Sequence, residues 1–493
     1  MSERLFGTDG VRGVANVRLT ATLAMQLGAA AGYWAHQSAS SNPVASNLSA
    51  SNLSASNLSA SVYPLSSAST SGSSMASLTG SDRPTVIIGR DTRLSGDMLE
   101  AALAAGLASA GVDVVNVGVV PTPAVAQIVL ARGAAAGVVI SASHNPFEDN
   151  GIKFFGPNGM KLPDRVEDEI TDLMSRLETL PKPMGGNIGR IVETRTPIKD
   201  YVQRVAATVV TQDAHPFAGL KLVMDCANGA AYELAPTLFR DLGAQLSILH
   251  AEPDGININV ACGSTHPKEM ARVVCATGAH AGLAFDGDAD RVMLADEKGN
   301  IVDGDRMMAI LALALHAEGK LVGDVVVATI MSNVGLEQAL NSQGIRLHRT
   351  DVGDRYVAEG MQEHQAILGG EQSGHILLPT MTPTGDGLVT ALQVLAIMHR
   401  SGKSLSELAS VVQTCPQLLK NVRVRTKQGW KEDTDIQAAI LVGQAKLGKP
   451  EWLSVRPSGT EPLLRVMAQG TDKGIVEGVV NDICAVVTAK FGA

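Results

Sequence analysis

Aromatic residues are scarce in this chain: Phe, Trp and Tyr together make up 3% of its 493 residues. Cysteine is also rare, with five residues in all and no Cys-x-x-Cys pair. The odd count and the wide spacing predict neither a disulfide framework nor a zinc site, so we expect a reducing compartment. Glycine is abundant instead, at 50 residues, and this predicts small aliphatic side chains in the core and many tight loops.

An excess of basic residues is missing as well. The net charge of −9 and the pI of about 5.7 argue against a nucleic-acid partner, whose binding proteins usually carry a basic surface. A phosphorylated small substrate remains compatible, because a few Arg and Lys side chains can hold one phosphate. The first ten residues lack the apolar core of a signal peptide, and no uninterrupted apolar run could span a bilayer. We therefore expect a cytoplasmic protein with no membrane partner.

One segment, residues 38–82, differs from the rest of the chain. It is dominated by Ser, Ala and Asn, and it contains SNLSA three times in succession at 46–60. A five-residue period fits neither a helix nor a strand, and the polarity predicts a mobile surface loop. Recruitment of a partner is one interpretation. An inert insertion is the simpler one, because surface loops tolerate extra length.

Outside that segment, strand-like and helix-like runs alternate. Examples are a helix at 20–36, a strand at 85–89, a helix at 96–111 and a helix at 230–242. Such alternation predicts parallel sheets covered by helices, whereas the rhythm after about residue 420 predicts a smaller α+β unit. We expect three consecutive α/β domains with mixed sheets and a smaller C-terminal α+β domain. Their expected ranges are 1–195, 196–300, 301–415 and 416–493.

The clearest metal-binding pattern is FDGDADR, residues 285–291. Three carboxylates, Asp286, Asp288 and Asp290, alternate in a tight loop, and they repel one another unless a cation joins them. Ligation by oxygen alone suits a hard ion such as Mg²⁺. The alternatives are a calcium-loop lookalike and a solvated acidic turn. The apolar flanks predict a strand–loop–strand rather than the two helices of an EF-hand.

A second pattern, SASHNP at 141–146, follows an apolar run at 138–140. It is either an ordinary strand end with an Asn-Pro turn or a nucleophile displayed at the carboxyl end of a strand. RPSGTEP at 456–462, followed by Arg465, could cradle a phosphate with backbone N–H groups, hydroxyls and Arg456. Ser-Gly-Thr is also ordinary turn composition, so this pattern is weak on its own.

Three further stretches carry polar groups beside glycines. GGEQSGH at 369–375 offers an acceptor, a hydroxyl and an imidazole, or it is a polar turn before a strand. FGTDGVRG at 6–13 could direct Arg12 towards a phosphate. GRDTRLSG at 89–96 places Arg90 and Arg93 at a strand end, where either side chain could instead pair with a neighbouring aspartate.

SASHNP, DGDADR, GEQSGH and RPSGTEP occur here in the order seen in the α-D-phosphohexomutases, and the resemblance covers nearly the whole chain outside 38–82. Within that superfamily the chain resembles the phosphoglucosamine mutase branch, through FGTDGVRG, GRDTRLSG, GEQSGH and TGDG (384–387). The resemblance implies four domains around a central cleft. It also implies a phosphoserine that moves a phosphoryl group between O6 and O1 of glucosamine phosphate through a bisphosphorylated sugar, a step of amino-sugar metabolism and cell-wall precursor synthesis.

The resemblance also assigns roles to residues. Ser143 matches the phosphoserine, and one Mg²⁺ per site would be held by a phosphate oxygen on it and by the three aspartates. His144, Lys153 and Arg12 are candidates for proton transfer or charge stabilisation. The residues expected to bind the substrate are Arg291, Glu371, Ser373, His375, Arg456, Ser458, Gly459 and Thr460.

Two alternatives and one departure accompany this interpretation. The same chemistry on mannose or glucose phosphates is the nearer alternative, and a non-catalytic sugar-phosphate binding protein is the more distant one. The departure is Ala289, since glycine is commoner at that place in the superfamily. A methyl group there should be tolerated because the ligands are the flanking carboxylates. The sequence leaves a homodimer open.

Overall fold

The computed structural model describes residues 4–41 except Thr8, then 79–210, 213–458 and 461–493. Most of the Ser-rich segment and its three SNLSA repeats therefore lie outside the described residues. The chain divides into two compact units. The first comprises Met1–Asp303 and Ser373–Leu408, and the second comprises Gly304–Gln372 and Ala409–Ala493.

A six-stranded mixed sheet begins the first unit. Its strands are β1 (Val11–Val14), β2 (Thr85–Arg90), β3 (Asp113–Val119), β4 (Ala136–Ile140), β5 (Asp149–Phe155) and β6 (Ile191–Glu193), in the order β1-β5-β4-β2-β3-β6. Strands β4, β2, β3 and β6 run parallel, whereas β5 returns antiparallel to both β4 and β1. The short chain reversal between β4 and β5 contains SASHNP, so this reversal displays the motif at the carboxyl end of β4.

A second sheet of the first unit has the order β11-β10-β9-β7-β8. Its strands are β7 (Lys221–Asp225), β8 (Gln245–Leu249), β9 (Ala281–Phe285), β10 (Val292–Asp296) and β11 (Ile301–Val302). Strand β7 is parallel to β8 and β9, and β9 and β10 form an antiparallel hairpin around the DGDADR loop. The predicted strand–loop–strand at this motif is therefore confirmed.

Helices cover both sheets, and the buried faces are aliphatic. In the first sheet, for example, Ile88, Val114 and Val138 are fully buried and share a cluster with Leu27 and Leu103 of two helices. The helices of the first unit are Ala21–Ser41, Ser95–Ser109, Thr122–Arg132, Asp164–Ser175, Ile198–Ala207, Leu234–Asp241, Lys268–Thr277 and Gly387–Ser401, with 3-10 turns at Leu177–Thr179 and Gly185–Asn187. The same unit contains the strand β15 (Ile376–Leu377) and most of the short helix Leu405–Ala409.

The second unit contains a parallel α/β part and an antiparallel α+β part. In the first part β12 (Val325–Thr329) pairs in parallel with β13 (Arg346–Thr350) and β14 (Gly369–Gly370). In the second, β18 (Leu463–Gln469) pairs antiparallel with β16 (Gln417–Arg423) and β17 (Leu453–Pro457). The helices of the whole second unit are Gly304–Ala317, Val334–Asn341, Asp354–His364, Thr434–Leu447 and Lys473–Phe491, with 3-10 turns at Val322–Asp324 and Pro450–Trp452.

Three α/β sheets and a smaller α+β part confirm the predicted fold class. Two local predictions were wrong. The first helix continues to Ser41, so residues 38–41 of the Ser-rich segment are helical. The helix predicted at 230–242 begins only at Leu234, because Ala230 donates its N–H to the carbonyl of Gly287 at 2.8 Å and thereby fastens the preceding turn to the DGDADR loop. No helix in the described part of the chain is long and apolar enough to cross a bilayer.

Candidate active site

Ser143 stands in the reversal after β4 with its backbone in the left-handed region, at φ 53°, and it is only 2% exposed. Its N–H donates to the hydroxyl of Ser141 at 2.9 Å, and that hydroxyl donates to the buried Asp91 at 2.6 Å. A left-handed backbone is unfavourable for a residue other than glycine, and it persists where the surrounding structure fixes it. The two serines of SASHNP therefore differ in role: Ser141 supports the loop, and Ser143 is the side chain that the loop presents.

Arg93 is the main clamp on this loop. Its side chain is fully buried, pairs with Asp91 at 2.9 Å, and donates to the carbonyls of Ser143 at 2.9 Å and Asn145 at 2.8 Å. It also donates to the carbonyls of Pro146 and Asp149. The contacts therefore support the structural interpretation, in which Arg93 pairs with a neighbouring aspartate. Arg90 likewise pairs with carboxylates, those of Asp97 and Glu100.

The three aspartates of the DGDADR loop lie close together, and one of them, Asp286, contacts the Ser143 hydroxyl. One ligand atom from each lies within 4.8 Å of the others, and all three side chains are buried. Ser143 Oγ donates to Asp286 Oδ2 at 2.6 Å. The loop approaches so closely that a Cβ on Gly287 would lie 2.5 Å from the carbonyl oxygen of Ser143, which explains the glycine between the first two ligands.

The charges of this trio are only partly compensated. Burial, followed by repulsion from Asp290 and Asp288, raises the pKa of Asp286 well above its usual value. One buried oxygen of Asp288, Oδ1, has no hydrogen-bond partner among the described residues. A buried, all-oxygen donor set with an unsatisfied oxygen fits a hard divalent cation such as Mg²⁺.

Two cations, Lys153 and Arg12, line the other side of the trio. Lys153 Nζ, almost fully buried, lies 2.9 Å from Asp288 Oδ2 and 3.2 Å from Asp9 Oδ2. Burial alone would lower the pKa of Lys153, but the carboxylates of Asp288 and Asp9 outweigh it and raise the pKa. Arg12 is paired with Asp9. The ammonium is therefore charged, and through Lys153 the motifs FGTDGVRG and DGDADR share one charge network.

His144 and Arg291 complete the surroundings of the hydroxyl. His144 Nδ1 lies 3.3 Å from Ser143 Oγ, and burial, helped by Arg291 and Arg12, lowers the pKa of its ring to about 4. The ring is therefore neutral near pH 7. Arg291 donates its backbone N–H to Asp286 at 3.2 Å, and its Nε lies 3.7 Å from Asp290.

The TGDG stretch, residues 384–387, supports the DGDADR loop, a role that the sequence alone did not predict. His375 Nδ1 lies 3.6 Å from Asp290 Oδ1, and Gly385 leaves the room for that ring, since a Cβ there would lie 2.4 Å from Nε2. Asp386 caps the helix Gly387–Ser401 by accepting the N–H groups of Leu388 at 2.9 Å and Val389 at 3.1 Å.

The Asp386 carboxyl should make stability depend on pH. Burial raises its pKa to about 6, although the two capping N–H groups and the Tyr201 hydroxyl, 3.0 Å away, favour the charged form. The folded state then binds a proton more tightly than the unfolded state, whose carboxyl has the ordinary value of 3.8. Stability from this group is therefore present at low pH and lost as the pH rises towards the folded value. We expect about 3 kcal/mol of unfolding free energy to be lost between about pH 4 and about pH 6.

Chemical denaturation of the wild type and of Asp386→Asn across that range measures the effect. The asparagine keeps the capping oxygen but does not titrate, so the difference in unfolding free energy between wild type and variant should fall as the pH rises. A difference that stays constant with pH would contradict the assignment.

The second unit contains a separate cluster of cations around Ser458. Arg456 of β17 stands directly opposite Arg465 of β18, although like charges in that arrangement repel. Arg465 donates to Ser458 Oγ at 3.2 Å, and Lys427 donates to the Ser458 carbonyl at 2.9 Å. Burial and then Arg465 lower the pKa of Arg456. A bound anion would relieve this repulsion, so the cluster fits a phosphate group.

The remaining predicted binding residues are divided between the units. Glu371 belongs to the second unit, where its charge acts on Arg456, and Ser373 and His375 belong to the first. Gly459 and Thr460 lie outside the described residues. Arg465, which the sequence places just after the RPSGTEP pattern, contacts the Ser458 hydroxyl. Asn259 was missed altogether: its Nδ2 donates to the Ser143 carbonyl at 2.9 Å from a loop that has no recognisable pattern.

Four family models cover most of the chain. The models of phosphoglucomutase/phosphomannomutase α/β/α domains I, II and III match residues 65–180, 199–299 and 303–415, and the model of the C-terminal domain matches 419–486. The chain belongs to the phosphoglucomutase/phosphomannomutase family. Membership in the phosphoglucomutase/phosphomannomutase family agrees with the order of its four motifs.

Individual relatives are similar over almost their full lengths. A phosphoglucosamine mutase of Moorella thermoacetica is 48% identical over 478 residues, which are 97% of this chain and 97% of the relative. One of Carboxydothermus hydrogenoformans is 46% identical over 485 residues, 98% and 99% of the two chains.

Two solved structures show the same fold. A family protein of Burkholderia thailandensis gives a TM-score of 0.74 at 24% identity and covers 99% of this chain and 98% of its own. An N-acetylphosphoglucosamine mutase of Aspergillus fumigatus, solved with GlcNAc-6P and magnesium, gives 0.58 at 19% identity over 74% and 92% of the two chains.

Proposed function

We propose that the chain is an intramolecular phosphotransferase that interconverts glucosamine 6-phosphate and glucosamine 1-phosphate through a phosphorylated Ser143 and a bisphosphorylated sugar. One observation carries the proposal. The hydroxyl of Ser143, fixed by its loop, donates at 2.6 Å to a carboxylate of a buried aspartate trio. The phosphoglucosamine mutase relatives, at 45–48% identity, support the choice of an amino-sugar phosphate.

Phosphoryl transfer depends mainly on positioning and on neutralisation of charge. Position is supplied by the clamp: Arg93 and Asn259 hold the Ser143 carbonyl, and Ser141 holds its N–H. The side chain is thus left to contact Asp286 and His144. Asp286 accepts a hydrogen bond from the Ser143 hydroxyl, so it is the group placed to receive that proton when Ser143 is phosphorylated and to return it when the phosphoryl group leaves.

Charge is supplied from two directions. Asp286, Asp288 and Asp290 would hold Mg²⁺, together with a phosphate oxygen on Ser143, and a bound Mg²⁺ offsets negative charge on the transferring group. Lys153 brings a buried positive charge to the same aspartates, and Arg291 and Arg12 stand nearby. His144 is neutral and adjacent to the hydroxyl, so we assign it hydrogen bonding or proton transfer rather than charge stabilisation.

The cluster around Ser458 is assigned to the phosphate that is not transferred. Arg456 and Arg465 provide the fork geometry that suits a phosphate, and the predicted residues Gly459 and Thr460 follow Ser458 in the sequence. Glu371 is assigned to the amino group of the sugar. Ser373 and His375 remain predicted substrate residues. The four domain ranges and the homodimer also remain predictions.

Comparison of three substrates tests the proposal. Turnover of glucosamine 6-phosphate, mannose 6-phosphate and glucose 6-phosphate should be measured side by side, with Mg²⁺ and a trace of bisphosphate primer. We expect a large preference for the amino sugar in kcat/KM. Equal or higher values for mannose or glucose phosphate would leave the mechanism and reassign the substrate, and no turnover of any sugar would favour a binding protein.

Replacing Asp288 by asparagine should lower activity and Mg²⁺ dependence together. The amide removes one charged ligand and the partner of Lys153, and metal-ion stabilisation of a phosphoryl group contributes several kcal/mol, so we expect kcat to fall at least about 100-fold. Titration of activity with Mg²⁺ should show a weaker apparent affinity. Asp172→Asn, at an exposed position of the helix Asp164–Ser175, is the matched control and should behave as wild type. An unchanged Mg²⁺ response in Asp288→Asn would exclude this ligand.

A further inference from the structure

We propose that Asp225, His250 and Cys262 form a second metal site, which takes a divalent transition metal of the zinc class. A carboxylate oxygen, an imidazole nitrogen and a sulfur from these residues lie within 4.8 Å of one another. None of the three belongs to the aspartate trio or to the cluster around Ser458. The inference is therefore independent of the mutase function proposed above.

The fold brings the three ligands together at the carboxyl ends of two parallel strands. Asp225 is the last residue of β7, and it pairs in the ladder with Leu249, the residue before His250. Cys262 comes from the loop before the helix Lys268–Thr277. That loop is tied to the same carboxylate, since Gly263 donates its N–H to Asp225 Oδ2 at 2.9 Å. The ligands thus stand on strand ends and on a fastened loop, which favours a defined geometry.

The ring of His250 is oriented as a metal ligand would be. Its Nδ1 lies 3.1 Å from Asp225 Oδ1, yet this buried nitrogen has no hydrogen-bond partner among the described residues. Its Nε2 faces the carboxylate of Glu269, at 3.8 Å. A histidine that ligates through one nitrogen usually directs the other towards a carboxylate, carbonyl or water. The arrangement therefore assigns Nδ1 to the metal and Glu269 to the orientation of the ring.

The donor set determines the class of metal. Sulfur and imidazole donors select Zn²⁺ and related ions, whereas Mg²⁺ requires oxygen donors. Asp225 and Cys262 are fully buried, and the His250 side chain is 27% exposed, so an ion can enter past the ring. Three protein ligands leave a fourth position for water. The sequence alone predicted no zinc site, because the ligands are spread over residues 225–262 and include only one cysteine.

The site is joined to the loop that holds Ser143. Asn259, three residues before Cys262, donates to the Ser143 carbonyl, and its own N–H donates to the carbonyl of Ala227 at 2.9 Å. An ion bound by Cys262 and by the two residues at the strand ends would fix the loop that contains Asn259 and Cys262 at a third point. We therefore expect the metal to act on stability and not to take part in the reaction.

Cobalt is the most direct probe, because a Co²⁺–thiolate bond gives a near-ultraviolet charge-transfer band. We expect titration of the full-length protein with Co²⁺ to develop this band to one equivalent per chain. The aspartate trio contains no sulfur and cannot produce it. The band should be absent in Cys262→Ser and unchanged in Cys275→Ser, a matched control at an exposed cysteine of the adjacent helix.

Zinc affinity provides the second readout. Calorimetric titration should show Zn²⁺ bound at least about 100-fold more weakly by His250→Ala, and about 10- to 100-fold more weakly by Glu269→Gln. Zn²⁺ should also raise the melting temperature of the wild type and not that of these variants. Glu269 is half-exposed, so its variant decides the matter if Cys262→Ser does not fold. No thiolate band in the wild type, a band that survives in Cys262→Ser, or unaltered Zn²⁺ affinity in both other variants would overturn the proposal.

Discussion

Ser143→Ala should eliminate turnover of glucosamine phosphate while leaving the fold intact. The alanine removes the hydroxyl that the loop presents to the aspartate trio, and loss of a covalent nucleophile lowers kcat by at least about 10⁴-fold. The methyl group fits the same left-handed backbone, because the clamp on this residue uses its N–H and carbonyl and not its side chain. Steady-state kinetics and circular dichroism measure the two parts of this prediction.

A serine far from the site gives the matched control. Ser175, at the exposed end of the helix Asp164–Ser175, should tolerate alanine with no change in kcat. Mass spectrometry after incubation with bisphosphate primer should find the phosphoryl group on the peptide that contains Ser143 in the wild type, and not in Ser143→Ala. Turnover at the wild-type rate in Ser143→Ala would disprove the phosphoserine mechanism.

Arg93→Met should have the largest effect on stability. The methionine has a similar length but leaves the fully buried Asp91 without its partner, and breaking a buried ion pair in this way costs about 3–5 kcal/mol. It also frees the carbonyls of Ser143 and Asn145. Urea denaturation should therefore show a large loss of unfolding free energy, and kcat should fall as the loop loses its shape.

The neighbouring Arg90 provides a control within the same GRDTRLSG motif. Its side chain is 21% exposed and pairs with the exposed Asp97 and the mostly buried Glu100, so Arg90→Met should cost less unfolding free energy than Arg93→Met, whose partner is fully buried. Arg93→Lys should lie in between, because a single ammonium cannot reach the carbonyls that the guanidinium fork serves. Equal losses in Arg90→Met and Arg93→Met would show that Arg93 is not the clamp.

The sequence was informative where the chemistry is contiguous. DGDADR contains all three carboxylates within five residues, and its apolar flanks indicated the hairpin that the structure has. SASHNP likewise contains both the presented serine and the serine that supports it. A short motif can be recognised without knowledge of the fold, because its spacing along the chain already fixes its spacing in space.

It was less informative where distant segments meet. Asn259 reaches Ser143 from 116 positions further along the chain, and nothing in its own loop indicates this contact. The same is true of the Asp225, His250 and Cys262 group, which exists only because β7 and β8 are neighbours. The predicted start of the helix at 230–242 was wrong for a related reason. The turn at Ala230 is held by Gly287, so local helix propensity did not decide where that helix begins.

The departure at Ala289 has a structural explanation. The residue is buried and has φ 55°, a left-handed conformation that glycine adopts without strain. The methyl group is accommodated, as expected from the positions of the ligands, but the backbone is one that disfavours it. Ala289 therefore carries a conformational cost that the pattern of alternating carboxylates did not reveal.

The contact between Ser143 and Asp286 is attractive when the serine is free and repulsive when the serine is phosphorylated. A free hydroxyl donates its proton to the carboxylate, whereas a phosphate ester has no such proton and adds a charge of about −1.5 to −2 beside three aspartates. The phosphorylated and unphosphorylated proteins must therefore differ in their affinity for a cation at the trio. By thermodynamic reciprocity, a cation that binds the phosphorylated protein more tightly lowers the free energy of the phosphorylated state by the same amount. Removal of the cation by chelation would therefore remove this stabilisation from the phosphorylated protein and leave four negatively charged groups together.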